Sequence, residues 1–199
     1  MEKEGSDFPS LPSLLPLLFH PYPVLGIILV AIALVLFFFF VTGWIWGAGY
    51  EPTNRRVRDL LIGMIEERFQ TDDRFVFYDL GSGFGGVLID VAERFPNAFC
   101  TGIEADWFKC AVGSRRVRNR GLEGRVMTIN GDLLAHYFSD ADVVYMFLSP
   151  LILKRKEFRE RIRMLKPGCL IISYSHKIPG LEPAAVIGKH LFIYARTAS

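Results

Sequence analysis

Asp79, Glu104 and Asp132 each stand at or just after the end of a short apolar run, and a glycine-rich turn follows the first of them, Gly81-Ser82-Gly83-Phe84-Gly85-Gly86. Glycines at this density permit a tight turn and let a ligand approach the backbone closely. An acid after an apolar strand reaches different groups at each place. At Glu104 it can accept hydrogen bonds from both hydroxyls of a ribose. At Asp132 it can accept from an exocyclic base amine, or simply form a turn. Asp79, set two residues ahead of the first glycine, can meet a cationic amino group.

The turn alone is ambiguous. Gly81, Gly83 and Gly86 fit G-x-G-x-x-G, which seats a pyrophosphate on helix N–H groups. Asp79, Gly81 and Gly83 fit D-x-G-x-G, followed by Gly85, the form used for S-adenosylmethionine (SAM). SAM has no phosphate and carries an amino acid zwitterion and a sulfonium instead. Asp79 answers the zwitterion. Glu104 suits either ligand, since NAD also presents a ribose. A nicotinamide-dependent oxidoreductase is the competing class, but no Tyr-x-x-x-Lys motif accompanies the turn.

These residues need elements to position them. Apolar residues at Val57, Leu60, Leu61, Met64, Ile65 and Phe69 predict a helix over 55–69. Strands are expected at 75–80, 98–103, 126–129, 142–148 and 169–175. Helices are expected at 87–95, 107–119 and 150–165, the last with Ser149 as N-cap and Pro150 at its first position. Short strands at 184–187 and 191–195 close the chain as an antiparallel pair. This alternation predicts an α/β, Rossmann-like, doubly wound and mostly parallel sheet with a C-terminal antiparallel strand pair. Ligands of such sheets bind at the carboxyl ends of the strands, which is where the acids fall.

Asp79-Leu80-Gly81-Ser82-Gly83, Glu104, Asp132 and Leu165-Lys166-Pro167-Gly168 resemble the successive motifs of class I SAM-dependent methyltransferases. A narrower likeness rests on Glu51-Pro52-Thr53, on Glu104 followed by Trp107, on Ser175-His176-Lys177-Ile178-Pro179, and on an apolar N-terminal helix. Together they are similar to the small membrane-associated protein lysine methyltransferases, which modify the ATP synthase c subunit or the adenine nucleotide carrier. The resemblance implies SAM as cofactor and no metal. It implies that Glu51 to Thr53, with Thr53 itself, cover the cofactor, and that Trp107 packs near adenine. After the fourth strand, Met146-Phe147-Leu148-Ser149-Pro150 departs from the Asn/Asp-Pro-Pro-aromatic pattern used on planar amides and bases. Phe147, Ser149 and His176 are the candidates for the substrate entrance, although Ser149 also suits a plain helix cap. A lipid or isoprenoid acceptor stays open beside a protein lysine.

The N-terminal part belongs to a different solvent. Residues 8–50 contain no Lys, Arg, Asp or Glu. Of the 23 basic residues all but Lys3 lie beyond position 50, and of the 21 acidic ones all but Glu2, Glu4 and Asp7, leaving a mild net charge of +4 there. That is too weak for a nucleic-acid partner. The chain therefore divides into a proline-rich segment 1–23, one transmembrane helix 24–46, and a methyltransferase domain 50–199. Fifteen Leu, Ile, Phe and Val in 24–41, at about −0.4 kcal/mol each, favour insertion by roughly 6 kcal/mol. Arg55, Arg56 and Arg58 follow the helix, so the positive-inside tendency places the catalytic domain on the cytoplasmic side of a single-pass protein. The expected partners are the bilayer and a membrane-protein substrate. Cys100, Cys110 and Cys169 lack metal-ligand spacing and suit a reducing compartment.

Overall fold

The computed structural model describes residues 22–45 and 52–196. The chain divides between Trp44 and Ile45 into two compact units. The first contains helix α1 (Tyr22–Ile45), which has no charged residue. Pro23 lies in its first turn, where a missing N–H costs nothing. Side chains of α1 are described at 24–37, and all are exposed. Among the described residues no helix is long and apolar enough to cross a membrane. The transmembrane span expected at 24–46 runs beyond them, and most of the segment 1–23 also lies outside the described residues.

The second unit is a seven-stranded sheet with helices on both faces. Its elements are α2 (Arg55–Glu66), β1 (Val76–Leu80), α3 (Gly86–Arg94), β2 (Phe99–Glu104), α4 (Trp107–Arg118), β3 (Val126–Asn130), β4 (Val143–Met146), α5 (Pro150–Leu153), α6 (Lys156–Arg163), β5 (Leu170–Tyr174), β6 (Ala185–Ile187) and β7 (Leu191–Ala195). The strand order is β3-β2-β1-β4-β5-β7-β6. β1 to β5 are parallel, while β7 runs antiparallel to both β5 and β6. The expected Rossmann-like sheet and its antiparallel C-terminal pair are both present.

Central parallel strands are covered on both faces and so consist of apolar runs. All four residues of β4 are buried. One core gathers α2, α3 and Val117 of α4 against one face. The other gathers Leu153, Phe158 and Ile162 against the opposite face. Chain order reverses between β1 and β4, and a crevice opens at their carboxyl ends.

One expected helix is two. The run 150–165 breaks at Arg155, which is extended at φ −66°, ψ 137°. Leu153 and Phe158 are five residues apart, a step that rotates a continuous helix off its buried face. The extended residue resets the phase, and both side chains reach the core.

Candidate cofactor-binding cleft

The crevice beyond β1 and β4 encloses about 670 Å³, within the roughly 300–1,000 Å³ of ligand sites. Its floor is the glycine turn. Gly81, Gly83 and Gly85 have φ of 80°, 53° and 71°, the left-handed region that favours glycine. The turn is fastened to β2, because Gly81 and Ser82 both donate their N–H to the Ile103 carbonyl, at 2.9 and 3.1 Å. It lies so close to β2 that a Cβ on Gly102 would stand 2.8 Å from Ser82 Oγ and 2.9 Å from Leu88. On the helix side, a Cβ on Gly113 of α4 would meet the Phe84 carbonyl carbon at 3.3 Å. Both glycines were absent from the sequence expectations. A glycine inside a strand is the signal that could have found Gly102.

Asp79 and Glu104 come together here. Asp79 is 2% exposed, and its register partners are Gly102 and Tyr145. Burial pushes its carboxyl up to about 8, the Glu104 charge adds to this, and a hydrogen bond from the Leu88 N–H opposes it. Glu104 accepts from the Gly83 N–H at 2.7 Å and from the Asp106 N–H at 2.9 Å, one on each oxygen. A carboxylate has about four acceptor sites. Each oxygen therefore keeps a lone pair for a ribose hydroxyl, and the backbone has already fixed its direction.

The opposite wall comes from residues before α2 and after β4 and β5. Thr53 Oγ1 and the Tyr145 hydroxyl are 2.8 Å apart. Asn54 caps α2 through the Val57 N–H and donates from Nδ2 to the Tyr174 hydroxyl at 3.4 Å. The rings of Phe147 and Tyr174 are 4.6 Å apart and tilted by 58°. Phe147, Ser149 and His176 all line the cleft. Ser149 occupies the N-cap position of α5, yet its side chain makes no cap bond. Its Oγ is buried with no partner. Next to His176, Ser175 is held at φ 73° while its N–H donates to the His190 carbonyl. That conformation is uncommon for a residue with a Cβ.

Asp132 and Trp107, both expected to meet the cofactor, are not among the residues that line the cleft. Asp132 is exposed at the end of β3, and its carboxylate accepts from the Leu134 N–H at 2.9 Å, capping the short 3-10 turn Leu133–Ala135. Trp107 is 69% exposed and meets the edge of Phe108. Gly85 caps α3 through its backbone and is not part of the lining. Glu51 lies outside the described residues. Among the described residues no cluster of His, Cys, Asp and Glu could hold a metal ion.

Residues 79–185 match the model of the ANTKMT methyltransferase domain. The chain belongs to this family. A protein-lysine N-methyltransferase of Saccharolobus islandicus is 32% identical over 143 residues, covering 69% of this methyltransferase and 83% of that one. A sterol 4-C-methyltransferase of Caenorhabditis elegans is 29% identical over 114 residues, and there the match spans only 34% of the relative. Among solved structures, an RNA methyltransferase of Salinibacter ruber, in complex with S-adenosylhomocysteine, is 25% identical. The alignment covers 75% of this chain and 95% of that one, with a TM-score of 0.65. A Thiobacillus denitrificans SAM-dependent methyltransferase, also with S-adenosylhomocysteine, shares the fold at 22% identity over 73% and 58% of the two chains, with a TM-score of 0.54.

The cofactor of this methyltransferase is SAM, and the cleft fits it. Asp79 is a buried acid with no ion pair among the described residues, and it suits an ammonium. Glu104 offers two oriented oxygens to a ribose. SAM supplies a methyl group already activated by its sulfonium. The chain is left to hold both reactants in line and to exclude water.

Proposed function

We propose that this enzyme methylates the ε-amine of a lysine in a membrane-associated protein. The observation that carries this reading is the acceptor wall. Phe147 and Tyr174 form an aromatic pair, the Tyr145 hydroxyl is tied to Thr53, and the buried Ser149 Oγ has an unused hydrogen-bond position. Aromatic rings at the cleft desolvate an incoming ammonium and so favour its neutral form, the proton leaving to solvent. The neutral nitrogen attacks the methyl carbon while the carbon–sulfur bond breaks. The products are a methylammonium and neutral S-adenosylhomocysteine, so no acid or base of the protein is required. Burial raises the Tyr145 phenol far above its ordinary range, which disqualifies it as a base at neutral pH. The Saccharolobus relative, described as a protein-lysine N-methyltransferase, supports the same acceptor.

The anchor belongs to this proposal. α1 lies in a charge-free run from 8 to 50, of which we assign 24–46 to the bilayer, with the catalytic unit on the cytoplasmic side. Confinement to one surface raises the effective concentration of a membrane-bound target.

Incubating the full chain with native membranes and methyl-labelled SAM tests the proposal. Label is expected in methyllysine after acid hydrolysis of the protein fraction. Label confined to the lipid extract would replace lysine with a lipid acceptor.

A further inference from the structure

The methionyl end of SAM carries two opposite charges on one carbon, and Asp79 answers only the ammonium. Four cations line the cleft: Arg55, Arg58, Lys109 and Arg116. Three are otherwise placed. Arg116 Nη1 donates to the Phe84 carbonyl at 2.6 Å, Lys109 pairs with Asp106 at 3.9 Å, and Arg55 is exposed. Arg58, from α2, differs. Its Nη1 is held by Asp90 of α3 at 2.7 Å, while its Nε is buried and has no partner. A guanidinium donor withdrawn from water without a partner is costly, more so than a neutral group.

Its position is also right. Arg58 Nη1 lies over the first turn of α3, 3.6 Å from where a Cβ on Gly86 would be. The Asp79 carboxyl lies near the Leu88 N–H of that same turn, which lowers its pKa against burial. An acid and a guanidinium therefore flank one helix start, as the two charges of an α-amino acid require. The helix start itself favours an anion.

We propose that Arg58 is the carboxylate subsite of the cofactor, turning the free part of its guanidinium fork to the methionyl carboxylate while Asp90 holds Nη1. Nε and Nη2 form the edge that binds carboxylates with two parallel hydrogen bonds. This assignment concerns the cofactor and is independent of which acceptor is methylated.

Calorimetry with three ligands tests it on the full chain. S-adenosylhomocysteine has both charges. S-adenosyl-3-thiopropylamine is the same molecule without the carboxylate, and 5′-methylthioadenosine lacks the whole amino acid end. The wild-type protein is expected to bind S-adenosylhomocysteine at least tenfold tighter than the thiopropylamine. Arg58→Gln is expected to weaken S-adenosylhomocysteine at least tenfold and change the other two by less than twofold. Arg58→Lys, which keeps the charge and loses the fork, is expected to fall between. Equal wild-type affinity for the first two ligands overturns the proposal. So does an Arg58→Gln loss shared by all three, because that would mark a structural role through Asp90.

Discussion

Asp79 and Glu104 put two carboxyl groups beside one glycine turn before any ligand arrives. Asp79 responds by holding a proton, its carboxyl raised to about 8 from 3.8. The folded state thus binds a proton that the unfolded chain has lost, at every pH between those two values. Stability falls as pH rises through that window. Asp79→Asn removes this slope, so its Tm is expected to exceed that of the wild type at pH 8 and to match it near pH 4, while S-adenosylhomocysteine binding is lost. Ligand binding has the opposite sign. The ammonium displaces the proton, so wild-type affinity should rise from pH 6 to 8, by at most tenfold per unit, and then level off. Constant affinity over that range would mean that Asp79 does not meet the ammonium. Glu104 has a second duty, holding the Gly83 and Asp106 N–H groups. Glu104→Ala should therefore cost more than the ribose bonds alone, which at about 1.5–3 kcal/mol already give over tenfold weaker binding. Undiminished affinity in a folded variant removes it from the site. Both acids were legible in the sequence because each ends an apolar run. Arg58 and Tyr145 were not, because an arginine on a helix and a tyrosine in a buried strand have no local signature. Their meaning comes from Asp90, Thr53 and the α3 turn, all distant in sequence.

At the scale of elements, helix and strand periods revealed the alternation and the strand ends. They did not reveal how closely elements approach. Gly102 shows the difference. Its missing side chain lets Ser82 and Leu88 press onto β2, so the turn after β1 is shaped by a residue from the next strand. Gly102→Ala must push Ser82 or Leu88 away, at a cost of about 1–3 kcal/mol typical of overpacking. The expected result is a Tm lowered by several degrees with weakened S-adenosylhomocysteine binding. Gly124→Ala, with open space around its Cβ position, is the neutral comparison. A Gly102→Ala protein as stable as Gly124→Ala would show that the turn gives way freely. The split between α5 and α6 was hidden for a related reason. A single extended residue, Arg155, resets the helical phase, and only the core being filled on that face requires it. Asp132 reads two ways. A cap on a three-residue turn and a ligand contact look alike in sequence.

For the whole molecule, the unit from Ile45 onward contains the sheet, both cores and the entire cleft. Deleting residues 1–48 should leave S-adenosylhomocysteine affinity within twofold while lowering methylation of native membranes at least tenfold. If the shortened protein modifies its target as fast as the full chain at equal concentration, tethering has no role in target choice. The cleft's grip has a further effect on turnover. Asp79, Glu104 and the glycine turn face parts of the cofactor that methyl transfer leaves unchanged. The spent form differs only by one methyl and the sulfonium charge, so these residues hold it about as firmly as the fresh form. Such a catalyst is throttled by its own by-product. Its rate follows the ratio of charged to spent cofactor in its surroundings more than the amount of either, and the cell's methyl supply sets how far its targets are modified.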